Sequence, residues 1–223
     1  SNQNKNKSNE WINLFDGTSL DGWRAYNGDQ MPPGWKIIDS VLTFKTEQIL
    51  EQDYNYKGNR DIMYGEEEFE NFELYLEWKI PKGGNSGIYY HIKEGYGGFT
   101  DMAPEYQLLD DENYAEIHDY ELKDWQLTAA DYAMYVPDTT QKVLYPPGQW
   151  NSSRIIFTPN NVEHWLNDKK VLSFIPWTEQ WYEKRNSGKW DNFPDYGKYK
   201  KGYIGLQDHG SNLWFRNIKI KKL

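Results

Sequence analysis

The segment Gly205–Gly210 gathers a glutamine, an aspartate and a histidine, residue types that bind hydroxyl groups and move protons. This segment ends an apolar strand pattern. Side chains alternate between the two faces of a strand, which predicts that Gln207 and His209 share the face opposite the core. His209 is a candidate acid or base because imidazole titrates near neutral pH; the alternative is a turn histidine satisfied by local backbone. Asp208 is interpreted either as a group that orients His209 and contacts ligand or as a turn former.

A second polar pair, Glu105 and Gln107, lies two residues apart in a short strand pattern, so both side chains should share a face. Tyr106 and Leu108 would then enter the core. A carboxyl group near aromatic side chains can have its pKa raised into the working range of a base. Glu105 is therefore a candidate for proton transfer and Gln107 for substrate binding, and an exposed glutamate on an open sheet is the alternative for Glu105.

The glycine-rich segment Gly83–Gly87 leads into another strand pattern and leaves room for a ligand near the backbone. Asn85 and Ser86 can hydrogen-bond sugar hydroxyls, and a plain β-turn is the alternative. Further along, Tyr89 and His91 are expected to share a face. They would lie beside the Glu105 pair if the two strands are neighbours, so both are candidate substrate-binding residues.

Short strands are the elements that must position these side chains. The clearest, Phe72–Ile80, alternates apolar and polar residues without a break. Many short strands at modest spacing indicate a sandwich or barrel, and polar faces predict two sheets, one of them open to solvent or ligand. The other predicted strands are Trp35–Ile38, Val41–Lys45, Ile88–Ile92, Tyr106–Leu109, Arg154–Thr158, Val162–Leu166, Lys170–Phe174, Tyr203–Gln207 and Trp214–Lys221.

Two long segments, Asp110–Gly148 and Ile175–Lys201, do not fit the strand pattern. Their many aromatic residues argue against disorder, so we interpret both as ordered excursions over a sheet edge. Trp181 and Trp190 in the second are candidates for stacking on a sugar, with core packing or an interface as the alternative. No composition break marks a linker, which predicts a single domain over residues 11–223.

Composition narrows the class of ligand. Aromatic residues make up 17% of the chain, with 11 tryptophans and 18 tyrosines, and such residues stack well on flat ligands such as sugars. The net charge of −9 argues against nucleic acid or anionic lipid. There is no cysteine, no histidine spacing typical of zinc and no apolar run long enough for a membrane span. The oligomeric state is left open.

The polar opening, residues 1–10, predicts a disordered tether. One interpretation is an exported, periplasmic or cell-surface protein, lipid-anchored through this tether; an ordinary frayed terminus is the other.

A series of motifs covers nearly all of the chain from Trp11 onward: Asn13–Trp23, Phe72–Leu74, Gly84–Ile88, Glu105–Asp110, His164–Asn167, Gly205–Gly210 and Trp214–Ile218. Each motif is weak alone, but together and in this order they are specific, and the series resembles the 3-keto-disaccharide hydrolase family. Asn167-Asp168 departs from the Asn-Gly that is usual there, which changes a turn residue only.

The resemblance implies a concanavalin A-like jelly roll of two antiparallel sheets and activity on glycosides oxidised to a ketone at C3. A C3 ketone makes the C2 hydrogen acidic, so a base can remove it and the enolate can expel the aglycone from C1. Water then adds to the enone. This chemistry needs a base, a group that stabilises the enolate oxygen and an acid for the leaving group.

The rival hypothesis is a non-catalytic, lectin-like carbohydrate-binding module, since a fold does not fix a function. A protein-interaction domain at a cell surface is a third. No cofactor is predicted, although a divalent cation stays open: the acidic run Asp110–Glu112 could bind Ca²⁺, and a solvated acidic turn is the alternative.

Overall fold

The computed structural model describes residues 10–223. The predicted tether lies outside the described residues except for Glu10, which is exposed. No helix in the described part of the chain is long and apolar enough to cross a membrane. The elements are β1 Trp11–Phe15, β2 Trp23–Ala25, β3 Trp35–Ile38, β4 Val41–Phe44, α1 Glu47–Gln52, β5 Ile62–Phe69, β6 Phe72–Lys79, β7 Asn85–Ile92, β8 Glu105–Leu109, α2 Tyr114–His118, β9 Asn151–Thr158, β10 Asn161–Leu166, β11 Lys169–Phe174, α3 Glu179–Ser187, β12 Gly202–Leu206 and β13 Leu213–Lys222.

The strands form two antiparallel sheets. The larger has the order β11-β10-β9-β6-β13-β4-β3, with β1 also paired to β13, and the smaller has the order β2-β5-β12-β7-β8. Apolar side chains from both sheets meet in a shared core. The predicted all-β, two-sheet antiparallel sandwich is confirmed.

Strand β6 shows how the sequence pattern becomes the core. Its residues alternate without exception between buried and partly exposed. Phe72, Leu74 and Trp78 are fully buried. Glu73 and Glu77 lie on the other face and pair with cations of neighbouring strands. Alternation of this kind places one face in the core and the other in water.

Both long segments are ordered. Residues 129–132 of the first run along the edge strand β8: Ala129 N donates to Gln107 O at 2.9 Å, and Tyr132 N donates to Glu105 O at 3.0 Å. This part of the prediction, an excursion over a sheet edge, is confirmed. The second segment contains α3 and a short 3-10 turn, Lys189–Asn192, and Trp190 within that turn is buried.

Strands β1, β2 and β5 are absent from the sequence prediction. β5 carries the acidic run Glu66–Glu68, which interrupts any apolar alternation. It nevertheless pairs with β2 on one side and β12 on the other. Because Gln207 directly follows β12, β5 brings an unpredicted stretch of chain next to this candidate residue.

Candidate active site

The outer face of the smaller sheet carries several of the predicted polar residues. In the β7–β8 pair, Tyr89 lies opposite Glu105 and Gly87 lies opposite Gln107. Residues directly opposite in an antiparallel pair share a face. Gln207 continues the row, since its N–H donates to Gly87 O at 3.0 Å. The predicted pairing of the two strands is confirmed, and Tyr106 and Leu108 lie in the core as expected.

Glu105 is only 5% exposed, and its carboxyl group lies against the backbone of Gly87. A Cβ atom at position 87 would stand 2.0 Å from Glu105 Oε2, so glycine leaves the room that the carboxyl group needs. Burial raises the pKa of Glu105 to about 8, although a hydrogen bond from Tyr89 and the charge of Lys189 oppose the rise. Glu105 is therefore mainly protonated at neutral pH and can act as an acid.

Tyr89 links this acid to the strand end. Gln207 Nε2 donates to the Tyr89 hydroxyl at 3.2 Å, and that hydroxyl is hydrogen-bonded to Glu105. Burial raises the pKa of Tyr89 well above its usual range, so the hydroxyl keeps its proton. The three side chains form a hydrogen-bonded chain that orients the carboxyl group.

Asp61 is a carboxylate of this face that the sequence analysis missed. It directly precedes β5, where Ile62 pairs with Leu206, so Asp61 lies across from Gln207. Asp208 N donates to Asp61 Oδ1 at 2.8 Å. Burial raises the pKa of Asp61 to about 7, with the hydrogen bond opposing the rise. No sequence signal marks Asp61, because the strand that positions it is hidden by its acidic residues.

His209 is exposed and lies just beyond the end of β12. It borders a cavity of about 370 Å³ that is also lined by Asp53, residues 55–60 and Asp208. Partial desolvation lowers the pKa of His209, and the charges of His118 and Lys189 act in the same direction. The imidazole is therefore neutral at neutral pH and can accept a proton.

Asp208 is held by neighbouring groups at the turn after β12. It is 3% exposed, and its carboxylate accepts hydrogen bonds from the Tyr56 hydroxyl, from Arg60 N at 2.9 Å and from Gly210 N at 2.8 Å. These contacts shape the turn after β12. The turn-former interpretation of Asp208 fits this arrangement, and its contact with ligand stays a prediction.

Asn85 and Ser86 face opposite sides of β7. Asn85 is 8% exposed, and its Oδ1 has no hydrogen-bond partner among the described residues. A buried acceptor of this kind suits a ligand hydroxyl. Ser86 is fully buried, and its hydroxyl donates to Gln207 O at 2.7 Å. The expectation that both side chains are available to a ligand is therefore wrong for Ser86.

His91 does not share a face with Tyr89, and this expectation is wrong. Its backbone φ is 53°, an irregularity that breaks the strand alternation. The ring lies 4.6 Å from that of Phe157, between the sheets, and Nε2 hydrogen-bonds Glu70 O at 2.7 Å. Burial lowers the pKa of His91 to about 4, so this is a neutral core histidine.

Trp181 and Trp190 are buried, at 4% and 2% exposure, and cannot present an open face to a sugar. Trp190 stacks on Tyr196 with ring centroids 4.1 Å apart, and Trp181 stacks on the other side of the same cluster. Core packing, the alternative interpretation, is confirmed for both.

Gln107 holds the excursion beside β8. Its Nε2 donates to Gln126 O at 2.9 Å, and its Oε1 accepts from Leu108 N at 3.2 Å. Gln126 in turn donates to the Tyr132 hydroxyl at 3.2 Å. Gln107 therefore fixes a wall of the site, and the half-buried Tyr132 in that wall is a further residue that the sequence analysis missed.

In the acidic run after β8, the carboxylates of Asp110 and Asp111 bind other groups of the protein. Asp110 accepts from Gly83 N and Asn113, and Asp111 accepts from Thr128 N and pairs with Lys142 at 2.6 Å. Within residues 10–223, no group of three or more His, Cys, Asp or Glu side chains is arranged to hold a metal ion.

Comparison with known proteins gives relatives along nearly the whole chain. A 3-keto-disaccharide hydrolase of Bacteroides thetaiotaomicron is 36% identical over 234 residues, covering 96% of this chain and 78% of that protein. A crystal structure described as a candidate glycosyl hydrolase of Parabacteroides distasonis is 42% identical, covers 96% of this chain and 94% of its own, and has a TM-score of 0.84. A Bacillus subtilis protein with a galectin-like fold, 12% identical over 97% and 96% of the two chains with a TM-score of 0.54, shows the fold alone.

The predicted jelly-roll fold and the resemblance drawn from the motifs are confirmed by these comparisons. The sequence profile of one family matches residues 10–221, almost every residue that the structure describes. The chain therefore belongs to the 3-keto-alpha-glucoside-1,2-lyase-like domain family.

Proposed function

We propose that this protein is a glycoside hydrolase that cleaves 3-keto-glucosides by proton abstraction at C2, elimination of the aglycone and hydration. Family membership and the hydrolase name of the 36% identical relative support a hydrolytic enzyme. The mechanism is supported by the opposite displacement of two pKa values, upward for Glu105 and downward for His209. Such pairs separate acid from base at neutral pH.

In the first half of the reaction, neutral His209 takes the proton from C2. The electron pair left on C2 moves into the C2–C3 bond, and the ketone oxygen becomes an enolate. When the enolate collapses, the C1–C2 double bond forms and the C1–O bond breaks. Glu105 gives its proton to the departing oxygen, so the aglycone leaves as a neutral alcohol.

Hydration then returns Glu105 and His209 to their starting protonation states. Water adds its hydroxyl to C1 of the enone and passes its other proton to the Glu105 carboxylate. C2 receives the proton held by His209. The balance is one water consumed for one glycosidic bond broken, and Asn85, with its unpartnered buried Oδ1, is the proposed acceptor for a sugar hydroxyl.

Glu105→Gln and His209→Ala test this assignment. Each should lower turnover of a 3-keto-glucoside by about 10²- to 10⁴-fold, because each removes a group that transfers a proton. Circular dichroism and thermal unfolding should show an intact fold. Glu112→Gln, an exposed acid outside the site, is the matched control and should keep wild-type activity. Near-full activity in both site variants would show that the assignment is wrong.

The rival, a carbohydrate-binding module, predicts a different pair of results. Calorimetric titration with unoxidised glycosides would show binding, and the 3-keto-glucoside would not be turned over. The hydrolase predicts turnover of the ketone by the wild-type protein and no cleavage of the unoxidised glycoside, whose C2 hydrogen is not acidic.

A further inference from the structure

The proposed reaction places negative charge on the enolate oxygen, and neither Glu105 nor His209 can neutralise it. The 3-keto oxygen needs a hydrogen-bond donor or a cation where the charge develops. A positively charged side chain next to the site is therefore the group to look for.

Lys189 extends over the wall that flanks Glu105. Its Nζ stands 4.6 Å from the ring centroid of Tyr132 and 5.3 Å from that of Trp190. Tyr132 is the residue whose N–H donates to Glu105 O, at 3.0 Å. A cation over an aromatic face is held there by the negative face of the ring. Lys189 is thus held over the side chain of a residue that hydrogen-bonds the Glu105 backbone.

The position of Lys189 is set by a buried anchor. The neighbouring Trp190 stacks on Tyr196 at 4.1 Å with an interplanar angle of 4°, and its Nε1 donates to Tyr132 O at 3.3 Å. The aromatic segment that cannot stack on sugar therefore has another effect: it fixes the backbone at the exposed Lys189, whose ammonium group lies over the Tyr132 ring.

The charge of Lys189 reaches both proposed proton-transfer groups. It lowers the pKa of Glu105 against the effect of burial, and it adds to the desolvation that lowers the pKa of His209. Among residues 10–223, no carboxylate lies within salt-bridge distance of the Lys189 ammonium group. No close carboxylate therefore neutralises the charge of Lys189, and this charge acts on Glu105 and His209.

We propose that Lys189 is the cation that stabilises the enolate oxygen of the 3-keto sugar, an inference that rests on the proposed function. As His209 removes the C2 proton, the carbonyl electron pair moves onto the ketone oxygen, and the Lys189 ammonium donates a hydrogen bond to it. The lysine transfers no proton in the reaction, and the charge it opposes disappears when the aglycone leaves.

The test compares Lys189→Met, Lys189→Arg and Lys184→Met with the wild-type protein on a 3-keto-glucoside. Lys184 is the matched control, because its Nζ also stands over a tyrosine ring, 5.0 Å from that of Tyr135, but outside the site. Lys189→Met should lower kcat by about 10²- to 10³-fold, the usual effect of removing one oxyanion donor, with a much smaller change in KM. Lys189→Arg should recover part of this loss, and Lys184→Met should match the wild type.

The pH dependence supplies a readout that a merely structural role would not move. Loss of the Lys189 charge should shift both limbs of the pH–rate profile to higher pH, since it raises the pKa of Glu105 and of His209. Lys189→Arg should leave both limbs in place. An active wild type with an equally active Lys189→Met variant would overturn this inference alone. A wild-type protein with no activity on any 3-keto-glucoside would overturn the proposed function, and this inference with it.

Discussion

Glu105 and His209 owe their displaced pKa values to different surroundings. Glu105 is enclosed by the sheet, with Tyr89 and Lys189 opposing the upward shift, and its pKa is about 8. His209 is desolvated in part, and its pKa falls below the usual 6.5. The active form has a protonated Glu105 and a neutral His209. It is therefore the main form at neutral pH.

The first prediction at this scale is a bell-shaped dependence of kcat/KM on pH. The acidic limb should reflect protonation of His209 and lie below about pH 6.5, and the alkaline limb should reflect ionisation of Glu105 near pH 8. Steady-state rates with a 3-keto-glucoside would measure both. The residual activity of Glu105→Gln should lack the alkaline limb; a limb that persists at the same pH in that variant would assign it to another group.

The sequence predicted the positions of some site residues correctly but not of others. Strand alternation, together with the assumption that the two strands pair, placed Glu105 and Tyr89 on one face. It failed for His91, because one residue with positive φ shifts the alternation and no residue type announces it. Asp61 could not be found at all, since it is brought to the site by pairing between distant strands.

At the scale of elements, the close contact between β7 and β8 depends on Gly87. A methyl group there would meet the Glu105 carboxyl oxygen at 2.0 Å. Gly87→Ala should therefore displace the carboxyl group and reduce turnover by at least about 10²-fold, comparable to loss of an acid catalyst. Gly98→Ala is the matched control, because a Cβ atom at Gly98 meets nothing within 4 Å. Equal turnover in the two variants would contradict the close packing of Glu105 on β7.

Elements with a clear period of two were predicted almost to the residue, as β6 and β10 show. β5 was missed because its acidic residues hide the pattern, although pairing on both sides makes it a strand. Tertiary contact thus overrides local pattern in β5. The long excursion beside β8 could be recognised as ordered from its aromatic content, but its hydrogen bonds to the edge strand could not.

Across the whole molecule, the aromatic excess has more than one use. Several tryptophans lie in the core, among them Trp35, Trp78 and Trp190. On the outer face of the larger sheet, cations cover the rings: Arg216 stands 3.9 Å from the ring centroid of Trp150, and Lys79 stands 5.0 Å from it. Composition suggested sugar stacking, but these rings are occupied by the protein itself. The site is therefore defined by titratable groups of the smaller sheet and not by tryptophan count.

Stability should also depend on pH through these titratable groups. The pKa of Glu105 rises from 4.5 to about 8 on folding, so the folded state holds a proton that the unfolded chain releases. This contribution is present at low pH and is lost as pH rises toward the folded pKa. Between about pH 5 and about pH 9, Glu105 should therefore reduce the free energy of unfolding by about 4 kcal/mol.

Urea unfolding of the wild type and Glu105→Gln at both pH values isolates this contribution, because the other titrating groups, Asp61 included, are common to the two proteins. The stability difference should move in favour of the glutamine variant as pH rises, since an amide has no charge to bury. The exposed-site variant Glu112→Gln should follow the wild type throughout. Parallel stability curves for the wild type and Glu105→Gln would mean that the Glu105 carboxyl group is hydrated in solution, and the acid role that depends on its burial would then fail.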